Sequence, residues 1–302
     1  MRMKYRGKTI PYPLTALKGR LRLSGLSRLD AESAIAELQK RFSDNDEIPA
    51  YDDLISACRK SVRSMNAALL DDFDLLERFN SLRRKGTDTQ PLVLVLEGAS
   101  ATGKSMLALD LIVNLAVTRI ISTDTIRQVI RTGHSPDEYP ELYTHTYQAH
   151  IHKQTGPEDL HPVVRGYIAQ CEHIMPAVNQ AVERVLNEGA EAIVEGVHIT
   201  PGSLQGLGAG VVEVLINPPA EVHRIMFLAK CSTSGLKTVS DDIQVRHNEF
   251  EGTRLIQDYM LKCAAKESVE IVTLVDYEGA IAELNRIVMR TIRQLIATAE
   301  NK

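Results

Sequence analysis

Two patterns of apolar residues divide the chain. Between residues 12 and 84 they recur at helical spacing, as Ala31, Ala34, Ile35, Leu38 and Phe42 do in DAESAIAELQKRF, and again at Leu69, Leu70, Phe73, Leu75 and Leu76. The segment RRKGTDTQ, 83 to 90, then drops the pattern and gathers charge and turn formers, as a connection between domains does. Beyond it, short β-branched runs at Leu92–Leu96, Arg119–Ser122, Ala192–Glu195, Val211–Ile216 and Glu270–Val275 alternate with amphipathic stretches. Helices are predicted over Lys104–Ala116, Thr125–Arg131, Gly166–Asn187, Ala220–Lys230, Phe250–Ala265 and Ala280–Thr298. Strands alternating with helices predict an α/β fold with a five-stranded parallel sheet flanked by helices. A small, mainly α-helical N-terminal domain over residues 1–88 precedes this 89–302 domain.

The first predicted strand runs directly into GASATGKS, and Met106 opens a helical pattern. In that context Gly98 and Gly103 let successive backbone N–H groups turn toward an anion, and the helix N-terminus adds its partial positive charge. Residues Gly98, Ala99, Ser100, Ala101, Thr102, Gly103, Lys104, Ser105 and Met106 are thus the predicted nucleotide-binding loop of a P-loop phosphotransferase using ATP. Lys104 reaches the β- and γ-phosphates, and the Ser105 hydroxyl is a Mg²⁺ ligand. The motif leaves the acceptor of the phosphoryl group open.

In RIISTDTIRQVIR, Asp124, Arg127 and Arg131 stand at i, i+3 and i+7 and are predicted to share one helix face at the carboxyl edge of the sheet. A carboxylate there orients an acceptor hydroxyl, and guanidinium forks suit a carboxylate or phosphate. The bland alternative is a helix cap with two solvated arginines. EAIVEGVHITPG places Glu195 beside the predicted metal and His198 near the substrate, or in a structural role. The polar stretch CSTSGLKTVSDDIQVRHNEF, about 20 residues long, reads as a lid loop that brings Lys230, Lys237, Arg246 and Arg254 to the transferring group, or as a solvated excursion. His145, His150 and His152 do not share a helical face, so a metal is not expected on them.

Composition narrows the partners. A net charge of -4 provides no field for nucleic acid, and 5% aromatics with no Trp argue against a base-stacking groove. No run approaches a membrane span or signal peptide, and the four cysteines form no CxxC pair, so a cytoplasmic protein with reduced thiols is expected. Homo-oligomerisation stays open.

GASATGKS, STDTIRQVIR, GYIAQCEHIMPAV, EGVHITPG and EFEGTRLIQDYM together resemble the archaeal-type 2-phosphoglycerate kinases over most of residues 91 to 265. The resemblance implies Mg²⁺-dependent transfer from ATP to the 3-hydroxyl of 2-phosphoglycerate, giving 2,3-bisphosphoglycerate. Asp124 would then face the hydroxyl, and Arg127 and Arg131 the phosphate and carboxylate. In that family Lys230 is expected to be an arginine. PYPLTALKGRLRLSGLSRLDAESAIAELQKRF is similar to the ATP-cone module that precedes the kinase and can bind a regulatory nucleotide. A kinase for another small acceptor (a nucleoside, sugar acid or polynucleotide end) and a non-catalytic nucleotide sensor remain the alternatives.

Overall fold

A computed structural model describes residues 1–44, 47–86, 89–234, 240 and 242–301. Cα packing gathers it into two compact units, one of Met1–Gln90, Leu109–Thr118 and Ile281–Lys302, the other of Pro91–Ala108 and Arg119–Ala280.

The first unit opens with an antiparallel hairpin, β1 (Arg2–Tyr5) and β2 (Lys8–Pro11), which the helical pattern did not announce. Arg6 and Gly7 both have positive φ, the conformation that suits a two-residue turn to the twist of its strands. Helices α1 (Leu14–Leu23), α2 (Arg28–Asp44), α3 (Tyr51–Met65) and α4 (Leu70–Arg84) follow. Their apolar stripes meet in a core holding Leu17, Leu21, Leu38, Leu54, Val62 and Phe73. At its edge Arg20 pairs with Glu77 at 2.5 Å and hydrogen-bonds Tyr51, which partners a largely buried guanidinium.

The second unit is built on β3 (Val93–Glu97), β4 (Arg119–Ser122), β5 (Ala192–Gly196), β6 (Val211–Asn217) and β7 (Glu270–Thr273), all parallel in the order β4-β5-β3-β6-β7. Each predicted strand is present, with ends moved by at most two residues. All five residues of β3 are buried because β3 is central and covered on both faces. The chain leaves β3 through α5 (Lys104–Leu115) for β4 on one side, and later passes from β5 to β6 on the other. That reversal opens a crevice at the carboxyl end of β3, the place where open α/β sheets bind ligands. Helices α6 (Thr123–Ile130), α7 (Pro162–Asn187), α8 (Ala220–Ser234), α9 (Ile243–Lys266) and α10 (Tyr277–Glu300) complete the chain.

The described residues at the two ends of the predicted lid loop are helical, and 235–239 and 241 lie outside the described residues. α8 runs on to Ser234 and α9 starts at Ile243, where the Asp242 carboxylate accepts from Gln244 N at 2.8 Å and Val245 N at 3.2 Å. The capping aspartate and the buried Arg246 and Phe250, four apart, make helix of a stretch whose low apolar content suggested a loop. Among the described residues no helix is long and apolar enough to cross a membrane.

Candidate active site

The loop after β3 has the backbone its glycines allow. Gly98 lies at φ 151° and Gly103 at φ 86°. A Cβ on Gly98 would come within 2.7 Å of Thr102 Oγ1, and one on Gly103 within 2.4 Å of Leu274. Ala101 also takes a positive φ of 63°, a strained value held by its surroundings. Two buried side chains outside the loop grip it. Gln257 of α9 accepts from Ala99 N at 2.8 Å, and its amide is turned by donation to Ile216 O at 3.1 Å. His223 of α8 reaches Ser100 O with Nε2 at 2.8 Å. The ring must donate to a carbonyl, which fixes the proton on Nε2, and burial lowers its pKa so that it stays neutral.

A cavity of about 490 Å³ opens over this loop. Ser100, Ala101, Gly103, Lys104, Ser105 and Met106 form its floor, with Met226 of α8 and Tyr277 of α10 beside Gly103. Asp124 and Arg127 from α6, Glu195 from β5, Val197, Lys230 from α8 and the segment His145–Tyr147 complete its lining. The buried Lys104 ammonium donates to Ala99 O at 3.0 Å. Burial lowers its pKa, while the fields of Glu195 and Asp124 favour the charged form. The Ser105 hydroxyl donates to Glu195 Oε2 at 2.9 Å. A hydroxyl and a carboxylate, both hard oxygen donors at the rim of one anion-binding loop, fit a magnesium ion.

Asp124 opens the first turn of α6 with its side chain 65% exposed, and Arg127 lies 3.3 Å away. Arg127 also donates to Thr144 O at 2.7 Å, leaving part of the guanidinium for the cavity. Desolvation acts to raise the Asp124 pKa, but the charges of Arg127, Lys104 and Lys230 outweigh it and hold the carboxyl below its usual range. Desolvation lowers Lys230, opposed by Asp124.

Four sequence-predicted residues stand elsewhere. Arg131 is not on the cavity wall, because α6 ends at Ile130 and a 3₁₀ turn follows. Its guanidinium bonds Gln128 and lies 4.1 Å over the Tyr143 ring. Arg246 is an internal brace, donating to Glu249 at 2.7 Å and Phe227 O at 2.6 Å over the Phe227 ring. Arg254 pairs with Asp258 at 2.8 Å outside the cavity. His198 is fully buried and reaches the cavity only through its neighbours. Lys237 lies outside the described residues. In the other direction, sequence reasoning passed over Thr146, Tyr147, Met226 and Tyr277, and considered His145 only as a metal ligand. His145 and Tyr147 stack in parallel with centroids 5.2 Å apart, a flat wall that a 3₁₀ turn presents without any repeating pattern.

The chain is 26% identical over 278 residues to the 2-phosphoglycerate kinase of Methanopyrus kandleri, covering 90% of this chain and 82% of that one. The match to the 2-phosphoglycerate kinase of Methanocaldococcus jannaschii is 26% over 229 residues, 74% of this chain and 72% of that one. This protein is a distant relative of 2-phosphoglycerate kinases. No family model matches the sequence. Among solved structures, a putative kinase from Chloroflexus aurantiacus aligns over 65% of this chain and 98% of its own, at 13% identity and a TM-score of 0.40. Shikimate kinase from Aquifex aeolicus aligns over 64% and 93%, at 17% identity and a TM-score of 0.34.

Proposed function

We propose that this protein transfers the γ-phosphoryl group of ATP to the hydroxyl of a small, doubly anionic acceptor, and that the acceptor is 2-phosphoglycerate. The observation that carries the reading is that one cavity is lined both by the phosphate loop and by Asp124, Arg127 and Lys230. Its chemistry suits that pairing. The loop amides and Lys104 bind the polyphosphate, and Ser105 with Glu195 would hold Mg²⁺, which when bound neutralises charge on the phosphates. Asp124 accepts a hydrogen bond from the acceptor hydroxyl and aims its oxygen at the γ-phosphorus. The new P–O bond forms as the bond to the bridging oxygen breaks, ADP leaves with that electron pair, and the hydroxyl proton passes to Asp124. Since its carboxylate is a weak base, the proton moves only as the phosphoryl group is captured, so the main contribution of Asp124 is orientation. Arg127 and Lys230 match an acceptor carrying a phosphate and a carboxylate.

Release of ADP, followed by a coupled assay across phosphorylated three-carbon acids, tests the proposal. Turnover is expected with 2-phosphoglycerate and lost in Asp124→Asn with ATP affinity retained. Turnover of a different acceptor alone would overturn the substrate and leave a kinase. ATP binding with no turnover of any acceptor would make the protein a nucleotide sensor. The ATP-cone likeness of residues 1–88 extends the proposal to a second nucleotide there, counted by binding stoichiometry against a Lys104→Met variant.

A further inference from the structure

His198 connects three separate segments behind the cavity; of its three partners Thr146 lines the cavity, although His198 itself does not. Its Nδ1 lies 3.1 Å from Thr123 Oγ1, and its Nε2 lies 3.2 Å from Gln170 Oε1 and 3.4 Å from Thr146 Oγ1. Thr123 begins α6, immediately before Asp124; Gln170 is a fully buried residue of α7; and Thr146 is on the cavity wall.

The protons in this cluster can be assigned from chemistry. The Gln170 amide nitrogen donates to Thr144 O at 3.2 Å and to Glu141 O, so its oxygen is the atom that faces His198. An amide oxygen only accepts, and Nε2 therefore carries the ring proton. Nδ1 is then an acceptor and takes the Thr123 hydroxyl proton, while Thr123 Oγ1 in turn faces the His198 backbone N–H at 3.4 Å. The charged groups around the ring are Asp124, with Oδ1 4.0 Å from Nδ1, and Arg127 and Lys104. Burial holds the imidazole pKa down to about 3, so the ring is neutral near pH 7, as the proton assignment requires.

The same network reaches the acceptor's cation. Gln170 and Arg127 both donate to Thr144 O, so the carbonyl that receives Arg127 is placed by α7 through Gln170. The fit at the α6 end is close: a Cβ on Gly196 would come within 1.8 Å of Thr123 Oγ1, so only glycine admits the threonine against β5.

We propose that His198, protonated on Nε2, and Gln170 form a positioning pair. They fix the start of α6 and the 141–147 segment relative to each other, so that Asp124 and Arg127 present hydroxyl and anion sites of one acceptor at a set separation. The substrate aspect rests on the kinase reading above; the structural aspect does not. His198 is a positioning residue, and it touches neither acceptor nor nucleotide.

Three variants separate the two halves of the pair. Thr123→Val removes only the hydroxyl that Nδ1 receives, His198→Asn keeps an acceptor near Nδ1 but loses the reach to Gln170, and Gln170→Leu removes the other end. In each, kcat/KM for the acceptor is expected to fall about 10- to 100-fold, while Kd for a non-hydrolysable ATP analogue moves less than about threefold. Nitrogen-15 NMR of the ring is expected to show a neutral imidazole protonated on Nε2 in the wild type. Amide hydrogen exchange in the Gln170→Leu protein is expected to quicken in 141–147 but not in 98–105. An imidazolium or an Nδ1–H tautomer would overturn the proposal, as would exchange that rises equally in both segments or a loss of ATP affinity matching that of the acceptor. If no acceptor is turned over by the wild type, the kinase reading fails on its own, and the tautomer and exchange measurements still decide whether the pair holds the segment.

Discussion

Gly166→Ala sets two opposing effects against each other. Alanine in the second turn of α7 gains at most about 1 kcal/mol of helix propensity over glycine. The same methyl would stand 2.2 Å from His150 N, 2.5 Å from its Cα and 2.7 Å from its Cβ. Two of those atoms are backbone and cannot rotate aside, so α7 and the 3₁₀ turn Thr146–Ile151 must separate by roughly 1 Å to reach ordinary contact. Overpacking of this kind costs about 1–3 kcal/mol, and the backbone contacts put it at the upper end. The clash wins by about 1–2 kcal/mol, which lowers Tm by roughly 2–8 °C for a unit of this size. That turn also carries Thr146 and Tyr147 of the acceptor wall, so kcat/KM for the acceptor should drop as well, by up to about 100-fold for a 1 Å displacement. The assay is a thermal melt read at the transition that an ATP analogue raises, with Gly206→Ala as control. Gly206 has nothing within 4 Å of its would-be Cβ and should stay within about 0.5 kcal/mol of wild type. A Gly166→Ala protein melting at or above wild type would refute the close approach of helix and turn.

Other consequences are as direct. Arg127→Met removes charged hydrogen bonds from the cavity and should raise the acceptor KM by about 10- to 150-fold, whereas Arg131→Met should change it less than about threefold; equal effects in steady-state kinetics would restore Arg131 to the site. Glu97 is fully buried at the end of β3, and desolvation together with the neighbouring Glu213 holds its pKa well above the usual carboxyl value. The folded protein thus keeps a proton that the unfolded chain loses near pH 4.3 or so, and wild-type stability falls as pH rises from there toward the folded-state pKa. Glu97→Gln removes that loss, so the variant's advantage in guanidinium melts should grow between about pH 5 and about pH 8; a constant difference would show Glu97 to be ionised in the fold.

The sequence was most legible where local chemistry and tertiary position coincide. GASATGKS carries its backbone torsions in its glycines, and β3 is apolar throughout because nothing of it meets solvent, so strand, loop and helix could be read in register. Periodicity failed where a distant contact decided the outcome. Arg131 belongs to the Asp124 face only if α6 continues, yet the chain turns there and the Tyr143 hydroxyl donates to Arg131 O at 2.9 Å. The polar run after Lys230 lacks an apolar stripe, but its Arg246 reaches across to Phe227 of α8, a contact 19 residues away that helical periodicity does not signal. His145 and Tyr147 form cavity wall through a 3₁₀ turn, which has no side-chain period long enough to recognise.

The grip on the phosphate loop follows one electrostatic logic. A loop that receives polyphosphate needs its N–H groups inward and its carbonyl oxygens occupied elsewhere, since an inward carbonyl would repel the anion. Here the Ser100 carbonyl is taken by His223, and the Ala99 carbonyl by Thr102 Oγ1 at 3.1 Å and by Lys104. Ala99 N, at the base of the loop, is taken by Gln257. At Ser100 a neutral donor suffices: a protonated His223 would add charge behind the loop, and burial keeps it neutral. Two helices that the motif itself does not include therefore set the loop's polarity, and with it the direction from which a phosphate can be bound.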